Sequence, residues 1–150
     1  MIANYFESTV KYIKVMEDGI EKKVTELFLI DAMSFSETEA QSCKELSEIV
    51  MGDYFIQALK RSKITEYVPS NDERDDRLYK VKVLIIDADE TSGKEKQSAL
   101  YYLVAGENIN KALENIGKSL STFVVPYEVY SICDTKFVDV ISYTQEVDNE

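Results

Sequence analysis

Tyrosines and basic residues lie close together in several segments of this chain. Tyr12 sits between Lys11 and Lys14, Tyr54 precedes Lys60, Arg61 and Lys63, Tyr79 adjoins Lys80 and Lys82, and Tyr127 and Tyr130 precede Lys136. That mixture suits a single-stranded nucleic acid. Bases stack on aromatic rings at roughly 1–3 kcal/mol each, while ammonium and guanidinium groups follow the phosphates. The eight cations (Lys11, Lys14, Lys60, Arg61, Lys63, Lys80, Lys82 and Lys136) are the expected phosphate contacts. Tyr12, Tyr54, Tyr79, Tyr127 and Tyr130 are the expected stacking rings. A simpler origin competes with this reading: tyrosine favours strands, and lysine discourages sheet edges from aggregating.

Other chemistry is poorly supplied. The chain has no histidine, which removes the commonest general base, the Ser-His and Cys-His pairs, and most zinc sites. Asp87-Ala-Asp89-Glu-Thr91-Ser-Gly93 resembles the start of a calcium loop. The twelfth position is Ser98 where a carboxylate is needed. A hairpin turn explains this segment better. Gly106 and Gly117 are isolated, so no glycine-rich phosphate loop is present. The chain is therefore expected to be no enzyme, with no catalytic residue, no metal site and no cofactor.

Positioning such residues requires strands. Residues 4–15 are β-rich, Glu17-Asp18-Gly19 is a turn signal, and residues 22–32 return. Ser36-Glu37-Thr38-Glu39 fits a capping box opening a helix to about Met51, with Gly52 as its stop. A long strand over 53–68 follows. The polar segment 69–77 reads as a solvated loop. The plan then recurs: strand 78–87, hairpin loop 88–95, strand 96–105, helix 108–123 capped by Asn108 or Asn110, and a last strand 127–141.

Side chains recur with the elements. Residues 53–68 lie over 126–141 without a gap, matching Tyr54 with Tyr127, Ser62 with Thr135 and Lys63 with Lys136. Val10-Lys-Tyr12 lies over Val81-Lys-Val83, and Phe28-Leu-Ile30 over Tyr102-Leu-Val104. The predicted fold is α+β. It is a tandem duplication of a β-β-α-β unit, 4–68 and 78–141, in one domain spanning 1–150. Both helices lie on one face of an antiparallel sheet or pair of sheets, and the other face is left free. Alternation puts Thr9, Lys11, Lys80 and Lys82 on that free face. The acidic tail 142–150 reads as a frayed terminus.

The composition narrows the partners. Seventeen basic against 28 acidic side chains give a net charge of −11, which disfavours non-specific duplex DNA binding. Two well-separated cysteines, Cys43 and Cys133, read as free thiols. No signal peptide or apolar membrane-spanning run is evident, so the cytoplasm is the expected compartment and no membrane partner is expected.

Asn4-Tyr-Phe-Glu7, Val10-Lys-Tyr12, Lys23-Val-Thr-Glu26, Ser34-Phe-Ser36 with Glu39-Ala40, and Tyr79-Lys-Val-Lys82 together resemble an uncharacterised family. That family occurs in Bacteroidetes bacteria and their phages, including the crAss-like phages. The resemblance covers nearly the whole chain. It implies a bacterial host cell or a virion as the setting, and it carries no catalytic residue.

The leading expectation is a non-catalytic single-stranded nucleic-acid-binding accessory protein acting in phage replication. The alternative is a protein-interaction module: a virion component, a packaged cargo protein or an inhibitor of a host system. An exposed sheet edge would also permit a homodimer. Because Arg61 aligns with Asp134 and Lys60 with Cys133, the basic cluster is expected mainly in the first repeat, on 53–68 and 9–14.

Overall fold

The computed structural model describes residues 4–32, 34, 36–40, 43–44, 53–88 and 90–142. Among the described residues eight strands appear in this order: β1 (Asn4–Val15), β2 (Glu21–Ala32), β3 (Tyr54–Arg61), β4 (Glu66–Val68), β5 (Arg77–Ala88), β6 (Glu95–Gly106), β7 (Tyr127–Asp134) and β8 (Phe137–Ser142). With the helices this is an α+β arrangement dominated by antiparallel pairing. The chain divides into two compact units, one of residues 1–62 and 136–150, the other of residues 63–135. No helix among the described residues is long and apolar enough to cross a membrane.

The first unit holds a sheet of order β3-β1-β2-β8. Its central hairpin pairs Asn4 with Ala32 and continues in register to Val15 with Glu21. Gly19, at a φ of 81°, turns the chain, and the Ile20 N–H donates to the Asp18 carboxylate at 3.0 Å. Phe6, Val10, Tyr12, Phe28, Ile30, Ala32 and Ile141 form the core. Ser34 opens the helical segment 36–40. The Glu37 N–H donates to the Ser34 hydroxyl at 3.2 Å, and the Thr38 N–H to the Ser34 carbonyl at 2.9 Å. The cap therefore lies two residues before the expected Ser36, because Ser34-Phe-Ser-Glu37 offers the same Ser-x-x-Glu spacing. Cys43 and Lys44 are helical as well; the expected end near Met51 and the Gly52 stop lie outside the described residues.

The second unit holds a sheet of order β4-β6-β5-β7. The helix Ile109–Leu120 packs on it through Ala112, Ile116 and Leu120. Asn108 is the N-cap; its side chain accepts from the Lys111 N–H at 2.8 Å. Residues 69–77, expected as a plain solvated connection, are organised by hydrogen bonds. Asp75 accepts from the Glu107 N–H at 3.0 Å and from Asn115 Nδ2 at 3.1 Å, and Asn115 also donates to the Ala105 carbonyl at 2.7 Å. The loop thereby ties the middle of the helix, through Asn115, to the segment leaving β6.

Two expectations are corrected. The long strands 53–68 and 127–141 are each two strands serving different sheets. β3 belongs to the first sheet and β4 pairs with β6; β7 belongs to the second and β8 pairs with β2. The alignment of Val10 with Val81 is also two residues off. Tyr12 pairs with Tyr54 where Ile85 pairs with Tyr127, so Tyr12 corresponds to Ile85 and Val10 to Val83. A shift of two preserves the face of every side chain, which is why periodicity alone could not detect it.

Candidate nucleic-acid interface

Alternation decides which predicted rings are available. Tyr12 and Tyr79 lie on the core parity and are 8% and 2% exposed. Neither can stack on a base in this fold, which corrects two of the five expected stacking residues. The Tyr12 hydroxyl donates a hydrogen bond to the Glu26 carboxylate. Burial, and then that carboxylate, push the Tyr12 phenol up to about 12. Tyr54 is half-buried against the first core, and its hydroxyl reaches the Cys43 carbonyl at 3.4 Å. Tyr127 is partly exposed but packs edge-on against Phe123, with ring centroids 5.9 Å apart.

The predicted cations meet different fates. Lys60 Nζ lies 3.7 Å from the Glu7 carboxylate and Lys14 Nζ lies 3.8 Å from that of Glu26, so their charge is partly answered within the chain. Arg61 sits 5.6 Å from the centroid of the buried Phe6 ring. Lys11 is exposed on β1, and Lys63 and Lys136 are exposed just beyond β3 and β7. Of the basic cluster expected on 53–68 and 9–14, Lys14 and Lys60 are thus partly neutralised.

The second unit assembles a more compact group. Lys80 and Lys82 both point to the face of β5 opposite the helix. Lys80 Nζ lies 5.0 Å from the centroid of Tyr101, and Lys82 Nζ lies 4.8 Å from that of Tyr130. Both distances are within the range of a cation–π contact. Lys82 pairs across the sheet with Tyr101 on one side and Ser131 on the other. The bulge beside it leaves Tyr130 unpaired and 62% exposed. Among the described residues neither lysine is ion-paired. Two Lys–Tyr pairs therefore stand side by side as a small platform of rings and cations.

That face is only partly free. Leu103 and Ala105 share its parity on β6 and are 0% and 5% exposed. The expectation of a wholly open sheet face is therefore corrected. Tyr101, now part of the platform, was not among the expected ligand contacts. The register of the β5–β6 hairpin was the signal that could have found it, since it sets Tyr101 opposite Lys82.

Lys11, Tyr12 and Tyr54 come together elsewhere, at one pocket of about 420 Å³ in the first unit. Its lining also includes Ile13, Lys23, Val24, Thr25, Asp53 and Phe55. Of these, Lys23, Asp53 and Phe55 were not singled out by type or spacing. They join the site only because β1 pairs Lys11 with both Thr25 and Phe55, and Ile13 with Lys23.

No group of three or more carboxylate or cysteine side chains that could hold a metal ion occurs among the described residues. No curated protein and no solved structure matches the chain. A family model, described as a domain of unknown function (DUF4494), matches residues 4–143, and the chain belongs to that family.

Proposed function

We propose that this protein is a non-catalytic binder of single-stranded nucleic acid, and that the Lys80–Tyr101 and Lys82–Tyr130 pairs form its strand platform. The observation that supports this most is the adjacency, on one sheet face, of two tyrosines and two lysines that have no ion pair among the described residues. Phosphates would draw the ammonium groups off the rings and leave the tyrosine faces to stack with bases. The acidic remainder disfavours duplex binding, where affinity depends on neutralising many phosphates. A place in phage replication within a bacterial cytoplasm follows from the resemblance to phage and Bacteroidetes proteins, and is part of the proposal. So is the reading of 4–68 and 78–141 as copies of one β-β-α-β unit, which matched registers support.

The test is anisotropy of a fluorescent single-stranded oligonucleotide at low and high salt. Micromolar binding that weakens steeply with salt is expected. The charge-reversed Lys80→Glu/Lys82→Glu protein should lose it, while Lys60→Ala should change little because Glu7 already answers that charge. Absence of binding at micromolar protein and low salt overturns the reading. A second reading, a protein-interaction module, is favoured by one feature: Ile13, Val15, Ile20 and Phe55 in the first unit are each at least half exposed. Pull-down of a host or phage protein that Ile13→Ser or Phe55→Ser abolishes would support it.

A further inference from the structure

The pocket in the first unit has a construction that its lining reveals. Tyr54, Tyr12 and Val24 form one row across β3, β1 and β2. The other six lining residues flank that row in pairs: Asp53 and Phe55, Lys11 and Ile13, Lys23 and Thr25. Along a strand the two neighbours of any residue point to the opposite face from it. Phe55, Lys11, Ile13, Lys23 and Thr25 are therefore walls on the face opposite the core, Asp53 lines the pocket from just before β3, and the backbone of the row is the floor. Exposure agrees: Phe55 is 63% and Ile13 50% exposed, and Lys11, Lys23, Thr25 and Asp53 are exposed too.

The walls are chemically sorted. The β3 side offers the Phe55 ring and the Asp53 carboxylate. The β1 and β2 sides offer the ammonium groups of Lys11 and Lys23, neither ion-paired among the described residues. From β3 to β2 is two strand spacings, about 10 Å. The volume, about 420 Å³, lies in the range of small-molecule sites. The second unit builds the same row, Tyr127, Ile85 and Ser98, but flanks it with Pro126, Glu128, Leu84, Ile86, Gln97 and Ala99. The cations and the ring are thus additions peculiar to one of two otherwise matched scaffolds.

We propose that this pocket binds a nucleobase carrying a phosphate. The base would lie against Phe55 and Ile13 with an exocyclic amine toward Asp53, and the phosphate would sit between Lys11 and Lys23. A dianionic phosphate answers two lysines better than a single carboxylate does, and Asp53 repels it from the β3 end, which fixes the orientation. This ligand chemistry has two sources, a free nucleoside 5′-monophosphate and the phosphorylated end of a strand. The site is lined by residues of the first unit alone, whereas Lys80 and Lys82 belong to the second, so the proposal stands whether or not they bind a strand.

The experiment is calorimetric titration of the intact protein with AMP, with adenosine and inorganic phosphate as comparison probes. Saturable AMP binding is expected, weakened about tenfold or more by Lys11→Gln/Lys23→Gln and by Phe55→Ala. Lys80→Ala/Lys82→Ala should leave it unchanged, which separates this site from the strand platform. Competition then assigns the source. Displacement of AMP by a 5′-phosphorylated oligonucleotide, but not by its 5′-hydroxyl form, identifies a strand end; displacement by neither identifies the free nucleotide. No saturable binding at millimolar AMP, or equal binding by the Lys11→Gln/Lys23→Gln protein, overturns the proposal. The two lysines are exposed, so loss of fold is not expected to obscure that variant.

Discussion

The two units solve the same folding problem with different side chains. Each has an antiparallel hairpin at the centre, an antiparallel strand on one side and a short parallel strand on the other. The bulge falls between Thr9 and Val10 in one and between Lys82 and Val83 in the other, at corresponding places. Phe28, Leu29 and Ile30 face Asp139, Val140 and Ile141 as Tyr102, Leu103 and Val104 face Glu66, Tyr67 and Val68. On the face away from the core the units diverge. Lys80, Lys82, Tyr101 and Tyr130 occupy the places of Glu7, Thr9, Leu27 and Gln57. Backbone pairing and core parity tolerate these exchanges because the altered side chains lie outside the core, so each unit can carry its own surface chemistry on a common frame.

The strongest test of that equivalence is at Leu29 and Leu103, which hold matching places and are both 0% exposed. Leu29→Ala and Leu103→Ala should each cost about 2–5 kcal/mol in urea unfolding. A small loss at one and a large loss at the other would break the comparison. The next effect is asymmetric. A Cβ on Gly106 would lie 2.8 Å from the Ala112 backbone nitrogen, too close for the first helical turn to stay in place. The first unit has Ala32 at the matching position, fully buried and accommodated. Gly106→Ala should therefore destabilise by about 1–3 kcal/mol, as overpacking does. An unchanged unfolding midpoint would mean that the helix is not held as close to β6 as described.

Ser8 should respond in the opposite direction. It is 0% exposed, and its hydroxyl has no hydrogen-bond partner among the described residues. Val81 fills the corresponding place in the second core. A buried hydroxyl without a partner is costly, so Ser8→Ala or Ser8→Val should raise stability by about 1 kcal/mol. A loss of stability in both would identify Ser8 as a partner to something the second unit lacks.

Much of this frame was legible in the chain. Asp18-Gly19 marked the hairpin, and of the two expected helix starts, Asn108 and Asn110, the first is the cap. The crossing of each long segment into another sheet was not legible. Ser62 and Thr135 sit at those crossings, but they are ordinary polar residues, and a strand reads alike whichever sheet it joins. The Ser62 N–H donates to the Tyr5 carbonyl at 2.8 Å, and the Thr135 hydroxyl to the Leu78 carbonyl at 2.7 Å; only long-range pairing fixes either. The candidate site was legible in composition and not in grouping. Tyr12 and Tyr79 have the right type on the wrong face, while Lys23 and Phe55 enter a pocket through partners far away in sequence.

The smallest effect at neutral pH separates the units through a single phenol. Tyr12 is held up to about 12, against an ordinary value of 10.0; its counterpart in the second unit is Ile85, which cannot titrate. Below pH 10 the phenol is protonated in both folded and unfolded chains, so it adds no pH dependence there. As pH rises from 10 to 12 the unfolded chain releases the proton first, and the folded state loses relative stability. Tyr12→Phe removes that loss. The stability difference between the native protein and Tyr12→Phe should therefore be flat from pH 7 to 10, then shift in favour of the variant up to pH 12. Tyr102, raised chiefly by burial, titrates in both proteins and cancels from the difference. Urea unfolding across that range, with tyrosinate absorbance as the ionisation readout, checks the prediction. A difference that stays flat to pH 12 would mean that the Tyr12 hydroxyl titrates as freely as in the unfolded chain, and that burial and Glu26 do not hold its proton.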